Sequence, residues 1–221
     1  MSRRALALHP REPRGSMVFM VSAELPRKLT PEEYLALERA SDTKHEYWNG
    51  EVFAMAGARR AHNLIVTNLV GELRNALRKM PCEVYPSDMK ITARSRDKFV
   101  YPDASVVCGA PRFADETEDA LLNPSCIFEV LSESTEAYDR GRKFEFYRAL
   151  ESVKEVVLVG TDGPRVEHFV RGEETSWTLR VYGPGSTVPL VGCGAALAVD
   201  EVFWKVEFGA DEERRDGPPP R

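Results

Sequence analysis

No stretch of this chain comes near the roughly 18 consecutive apolar residues that a membrane helix needs, so a membrane-spanning role is excluded first. The N-terminus carries Arg3 and Arg4 but only a broken apolar patch from Ala5 to Leu8 before His9-Pro10, which is not a secretory leader, and a cytoplasmic protein is expected. Phosphate-cradling glycine loops are missing: neither G-x-x-x-x-G-K nor G-x-G-x-x-G occurs. A serine hydrolase elbow of the form G-x-S-x-G is missing as well. The four cysteines, Cys82, Cys108, Cys126 and Cys193, form no C-x-x-C pair, which predicts neither a structural zinc nor a disulfide. Cys108 and Cys126 lie in or beside apolar runs and read as small hydrophobes. Positive charge is also short: 30 Lys and Arg face 35 Asp and Glu, a net charge of -5. That argues against a protein that coats nucleic acid through a broad basic surface, but not against one that grips a few phosphates locally.

With 221 residues, 43% of them hydrophobic, the chain can bury one sizeable core. Residues 25–208 read as one domain between disordered tails at 1–24 and 209–221. Thr30-Pro31-Glu32-Glu33 combines an N-cap threonine, a first-turn proline and a glutamate at N3, a capping box that opens a helix to about Ala40. Asn49-Gly50 marks a hairpin into Glu51–Met55, with Glu46 near a sheet edge. Leu64, Ile65, Leu69, Leu73 and Leu77 recur at helical spacing, with His62 in the first turn of that helix. Short strands fill the middle of the chain. After a helix ending near Leu150 come Glu155–Val159, Arg165–Arg171 and Trp177–Tyr182, which predict an antiparallel meander. Strands that run consecutively, rather than alternating with helices, predict an α/β sandwich with a mixed sheet flanked by helices.

The chemistry concentrates between Tyr101 and Lys143. Phe99 to Val107 reads as a strand with Asp103 in it or just before it, and Cys126 to Leu131 reads as a buried strand with Glu129 in its middle. An ionised carboxylate there is costly unless it is paired or holds a metal. Asp139 and Lys143 follow at a spacing of i, i+4 on the next helix. Two carboxylates and a lysine converging on one point are the residue types that metal-dependent phosphodiester cleavage uses: hard oxygens for Mg²⁺, and an ammonium to orient water and offset charge on the phosphoryl oxygens. Pro-Asp is by itself an ordinary turn, and the Asp139–Lys143 spacing is equally an exposed helix pair. Asp88 is a further acid of interest.

Tyr101-Pro102-Asp103, Phe128-Glu129-Val130-Leu131-Ser132, Ser134-Thr135, Asp139-Arg140-Gly141, Lys143 and Phe146-Tyr147 together resemble the signature of the Uma2 family of restriction-endonuclease-like proteins. Leu29–Tyr34, His45-Glu46-Tyr47, Gly50-Glu51-Val52, His62 and Leu197 extend the resemblance over about residues 25–207. It implies a PD-(D/E)xK fold, DNA as substrate, Mg²⁺ or Mn²⁺ as cofactor, Asp103 and Glu129 as metal ligands, Lys143 as the catalytic lysine and Glu46 as an additional acid. It also suggests a homodimer. The E-x-K lysine would stand at position 131, where this chain has Leu131, so the resemblance implies a lysine moved to the helix. His62, Arg94 and Arg140 are the expected DNA contacts. Two alternatives stay open: a non-catalytic DNA-binding or interaction module that keeps the fold, and a phosphohydrolase acting on small nucleotides.

Overall fold

The computed structural model describes residues 27–208, so the tails expected at 1–24 and 209–221 lie outside the described residues. Helix α1 (Pro31–Ala40) starts as its capping box predicts, with the Glu33 N–H donating to Thr30 Oγ1 at 3.2 Å and the Thr30 N–H donating to Glu33 Oε2 at 2.9 Å. The hairpin β1 (His45–Trp48) and β2 (Glu51–Ala54) turns through Asn49 and Gly50, both at positive φ. Helix α2 (Arg60–Leu77) follows and buries Ile65, Leu69, Leu73 and Leu77 as one continuous stripe.

Four short strands come next: β3 (Cys82–Pro86), β4 (Lys90–Thr92), β5 (Lys98–Val100) and β6 (Ala104–Cys108). The polar loop then contains a two-residue strand, β7 (Ala120–Leu121), before β8 (Cys126–Val130). Helix α3 (Glu136–Tyr138) runs through a five-residue π-helical segment, Asp139–Lys143, into α4 (Phe144–Ala149). The meander is β9 (Glu155–Val159), β10 (Val166–Arg171) and β11 (Trp177–Tyr182), and the chain closes with the pair β12 (Thr187–Leu190) and β13 (Ala195–Ala198) and the short α5 (Val199–Val202).

These strands form two larger sheets and one pair. A six-stranded sheet runs β11-β10-β9-β8-β6-β3, parallel only between β8 and β9, and a five-stranded sheet runs β2-β1-β5-β4-β7. The run from Phe99 to Val107, expected as one strand, is therefore two strands in different sheets. Tyr101-Pro102-Asp103 is the corner between them. Proline cannot donate to a ladder, so a strand breaks where Pro102 stands. Glu46 is also farther in than expected, because β1 has neighbours on both sides.

The two faces of the six-stranded sheet carry different cores. Phe128, Val130, Val157 and Val159 pack with the α2 stripe and with Val188, Leu190 and Leu197 of the closing pair. On the other face Ile127, Leu131, Val156 and Leu158 pack with Phe146 and Tyr147 of α4 and with Ile91 and Val100 of the second sheet. A third cluster seats Tyr34 and Leu35 of α1 on Tyr47 and Phe99.

One expectation fails outright. Cys82 and Cys108 are joined in a disulfide, because the β3–β6 register sets them directly opposite each other. Their separation of 26 residues gives no hint of this in the sequence. Cys108 is thus not a free packing residue, and since structural disulfides are rare in reducing compartments the cysteines lend no support to a cytoplasmic location. Among the described residues no helix is long and apolar enough to cross a membrane.

Candidate functional site

The corner at Tyr101–Asp103 links β5 of the five-stranded sheet to β6 of the six-stranded one, and the acidic residues meet there. Continuing the register Ala104↔Phe128 one step places Asp103 opposite Glu129. Asp103 does not join the ladder through its backbone; its Oδ2 accepts the Val130 N–H at 2.7 Å, which fixes the carboxylate beside Glu129. Glu129 is 2% exposed. Its Oε1 accepts from the Tyr147 hydroxyl at 2.6 Å and lies 2.9 Å from Lys143 Nζ.

Lys143 is the hub. Its Nζ donates to the Tyr101 carbonyl at 3.0 Å and lies 3.3 Å from Glu46 Oε1 and 3.5 Å from Asp139 Oδ1. The lysine is 4% exposed, so the reading of Asp139–Lys143 as an exposed helix pair does not hold. The π-helical segment puts both residues inward: the Phe144 N–H reaches back to the Asp139 carbonyl, an i→i+5 bond that widens the turn. Glu46 is held in turn by the Tyr101 N–H at 3.0 Å and by the Tyr138 hydroxyl at 2.5 Å.

Three carboxylates (Glu129, Glu46, Asp139) thus surround one ammonium, with Asp103 beside Glu129 and one imidazole next to it: His62 Nε2 lies 3.4 Å from Asp103 Oδ1. Burial, reinforced by Asp139 and Asp103, pushes the Glu129 carboxyl well above its ordinary range despite Lys143. Burial likewise raises Asp139. For Lys143 burial works against the charged form, but Glu129, Glu46 and Asp139 outweigh it and hold the ammonium protonated. His62 is balanced similarly, burial opposing its charge and Asp103 raising its pKa overall. The site is short of positive charge, and it is not sealed. Asp103, Glu129, Asp139, Lys143, Tyr101 and His62 line a cavity of about 920 Å³, with Lys44 and Arg59 also on its wall.

The donor set consists of hard oxygens, which suits a cation such as Mg²⁺ or Mn²⁺. No three His, Cys, Asp or Glu donors of this site lie mutually within 4.8 Å among the described residues. Two carboxylates rather than a closed cage fit Mg²⁺, which keeps several waters.

The remaining residues singled out in the sequence are placed elsewhere. Arg94 is exposed beyond β4 and outside the cavity lining. Arg140 makes a two-pronged contact with Glu167, at 2.6 and 2.9 Å, and a further one with Glu136 at 2.7 Å. Asp88 is turned to solvent and paired with Lys44. Sequence reasoning missed the phenols of Tyr138 and Tyr147, and it missed Glu38, whose Oε1 accepts from the Tyr101 hydroxyl at 2.8 Å and whose Oε2 lies 3.0 Å from His45 Nδ1. A buried tyrosine hydroxyl must find a partner, and that is the only signal these residues offered in advance.

The chain is 34% identical over 187 residues to the uncharacterised protein slr1290 of Synechocystis sp., covering 85% of this chain and 97% of that protein. It is 35% identical over 151 residues to a second protein of that organism, the uncharacterised sll1609, covering 68% of this chain and 85% of the other. A crystal structure from Anabaena variabilis, described as a "putative nuclease belonging to DUF820", superposes with a TM-score of 0.63 over 79% of this chain and 97% of that one, at 18% identity, and this shows a shared fold. Residues 31–200 match the Uma2 family, described as "Putative restriction endonuclease". By that match across most of its length, the chain belongs to the Uma2 family.

Proposed function

We propose that this protein is a Mg²⁺- or Mn²⁺-dependent DNA endonuclease that hydrolyses phosphodiester bonds at the Asp103–Glu129–Lys143 cluster. The observation that carries the reading is Lys143 Nζ at 2.9 Å from Glu129 Oε1, in a buried cluster with surplus carboxylate that opens onto a cavity. A purely structural ion pair has no need of three carboxylates around one lysine, since each uncompensated buried charge is costly.

Asp103 and Glu129 would hold the cation, which when bound supplies charge against the phosphoryl oxygens and acidity to a water. The Val130 N–H and the Tyr147 hydroxyl keep those two carboxylates aimed. Lys143 stays protonated, so its role is to donate: it orients the attacking water and offsets charge developing on the phosphoryl oxygens. Glu46, tied to the Tyr101 N–H, Tyr138 and Lys143, acts as the acid that positions the lysine. Lys44, Arg59 and His62 lie on the cavity wall and would meet phosphate there. Arg94 is a more distant contact. Arg140, already paired with two glutamates, has little left to offer DNA. A homodimer would let two such sites cut both strands; a monomer mass by light scattering at working concentration would count against it.

Purified protein is incubated with supercoiled, linear and single-stranded DNA plus Mg²⁺ or Mn²⁺, beside Asp103→Ala. Metal-dependent nicking that the variant lacks is the expected result. Absence of cleavage on every substrate, or equal cleavage by the variant, overturns the reading and favours a DNA-binding module. That second reading draws on Leu131, which sits 4% exposed in the core where the usual lysine would stand.

A further inference from the structure

A second cluster of ligand-type side chains lies on the opposite face of β8 and takes no part in the proposed cleavage site. Cys126 opens β8, and its register partner Glu155 opens β9. His168 is on β10, and Cys193 is in the turn between β12 and β13. All four are buried. The thiols of Cys126 and Cys193 and one oxygen of Glu155 lie within 4.8 Å of one another, the only such triad of His, Cys, Asp or Glu donors among the described residues.

The surroundings are arranged for that approach. Cys126 Sγ is 3.0 Å from Glu155 Oε1, and the Gly192 N–H donates to the same oxygen at 3.0 Å. A Cβ at position 192 would lie 3.1 Å from Glu155 Oε1 and 3.2 Å from Cys126 Sγ, so glycine leaves the space the donors need. The outer oxygen of Glu155 faces His168 Nε2 at 2.7 Å and accepts the Val191 N–H at 3.2 Å. His168 Nδ1 is buried without a partner. A carboxylate backed by an imidazole and by backbone donors is the kind of outer support that orients a metal ligand. Cys193 lies beside the Cys126 thiol and makes a long contact to the Leu190 carbonyl, at 3.8 Å.

We propose that Cys126, Cys193 and Glu155 form a structural site for a thiophilic divalent cation of the zinc class. Thiolate sulfur is soft and excludes Mg²⁺ as the natural occupant. At Zn–S of about 2.3 Å and Zn–O of about 2.0 Å, tetrahedral ligand atoms stand about 3.5 to 3.8 Å apart, so the Cys126–Glu155 contact must open by about half an ångström. On binding, each thiol releases its proton to solvent, and two thiolates and one carboxylate face the dication. The outer oxygen of Glu155 keeps its His168 and Val191 partners, so these three donors are the protein's share of the coordination. Such an ion would pin the β12–β13 turn to the parallel pair β8–β9, the only parallel contact in the six-stranded sheet.

The probe is Cd²⁺, titrated into the reduced, full-length Cys82→Ser/Cys108→Ser protein with excess Mg²⁺ present to occupy carboxylate sites. Only Cys126 and Cys193 then remain as thiols. The expected result is a near-ultraviolet thiolate-to-cadmium band that saturates at one equivalent, with about one zinc per chain retained after dialysis against Zn²⁺. Cys193→Ser in that background should abolish the band. No band and no retained zinc overturns the proposal, and so does a band that survives Cys193→Ser. Loss of both thiols to a Cys126–Cys193 disulfide on mild oxidation, with no metal uptake under reducing conditions, overturns it in favour of a redox pair.

Discussion

Strand β8 carries a buried polar cluster on each of its faces, one around Glu129 and one around Cys126 and Glu155, and the two are built on opposite principles. On the Glu129 side three carboxylates share one ammonium, with Asp103 close by, and the cluster opens into a cavity. On the Glu155 side one carboxylate receives a thiol, two backbone N–H groups and an imidazole, and the side chains are buried. The first is over-supplied with negative charge; in the second the carboxylate is satisfied, while His168 Nδ1 is left buried without a partner. Satisfied buried networks make a fold rigid, whereas uncompensated ones persist only when something else, such as a ligand, requires them. Hardness separates the two as well: oxygens alone on one face, sulfur on the other.

The largest effect expected is on cleavage. Lys143→Ala should lower DNA cleavage on the order of a hundredfold or more, by removing a donor aimed at developing charge, while Glu155→Gln should leave cleavage near wild type. Near wild-type cleavage by Lys143→Ala would end the assignment of that lysine. Adding Leu131→Lys tests whether the strand position can take over: residues i and i+2 of a strand face the same way, so a lysine there would point toward Glu129. Partial recovery is the expected outcome.

Stability should respond in the reverse order. Glu155→Ala leaves His168 buried, and two partly buried backbone donors, without their acceptor and should cost about 3 kcal/mol in denaturant unfolding. Glu129→Gln removes one charge from a surplus, so in metal-free buffer at pH 8 it should melt at or above the wild-type temperature. A loss of several kcal/mol there would mean that Glu129 is an ordinary structural partner of Lys143.

The pH dependence of that variant sharpens the contrast. Burial raises the folded-state pKa of Glu129, so the folded protein holds a proton that the unfolded chain gives up near pH 4.3. The associated stability is fully present below about pH 4.3 and is lost as pH rises through the folded value. Wild type should therefore lose ground to Glu129→Gln in EDTA between pH 5 and 8. A constant gap across that range would contradict the burial account.

The smallest effect is expected at Arg140. Its contacts to Glu136 and Glu167 are partly exposed, and Arg140→Ala should cost about 0.5 to 1 kcal/mol and change DNA affinity little. A large fall in affinity, with a shallower salt dependence, would make it a phosphate contact after all.

Local chemistry was legible in the chain itself. The capping box at Thr30, the leucine stripe of α2 and the Asn49-Gly50 turn depend on neighbours within a few residues, and each formed where its pattern predicts. Glu129 announced itself because a carboxylate inside an apolar strand demands an explanation. Asp103, Glu129, Lys143 and Glu46 do come together, but their separations in sequence gave no distances.

What only the tertiary structure decided are the facts that depend on which strand lies beside which. The chain's crossing between sheets at Pro102, the Cys82–Cys108 bond, the inward turn of Asp139 through a π-helical segment and the Cys126–Glu155–Cys193 triad all join elements far apart in sequence. Period-two alternation tells a strand which of its faces is which, but not what will cover that face. Arg140 makes the same point: its charge was plain in the sequence, and the two glutamates that occupy it were not. Side-chain chemistry is a property of the residue, and its pairing is a property of the packing.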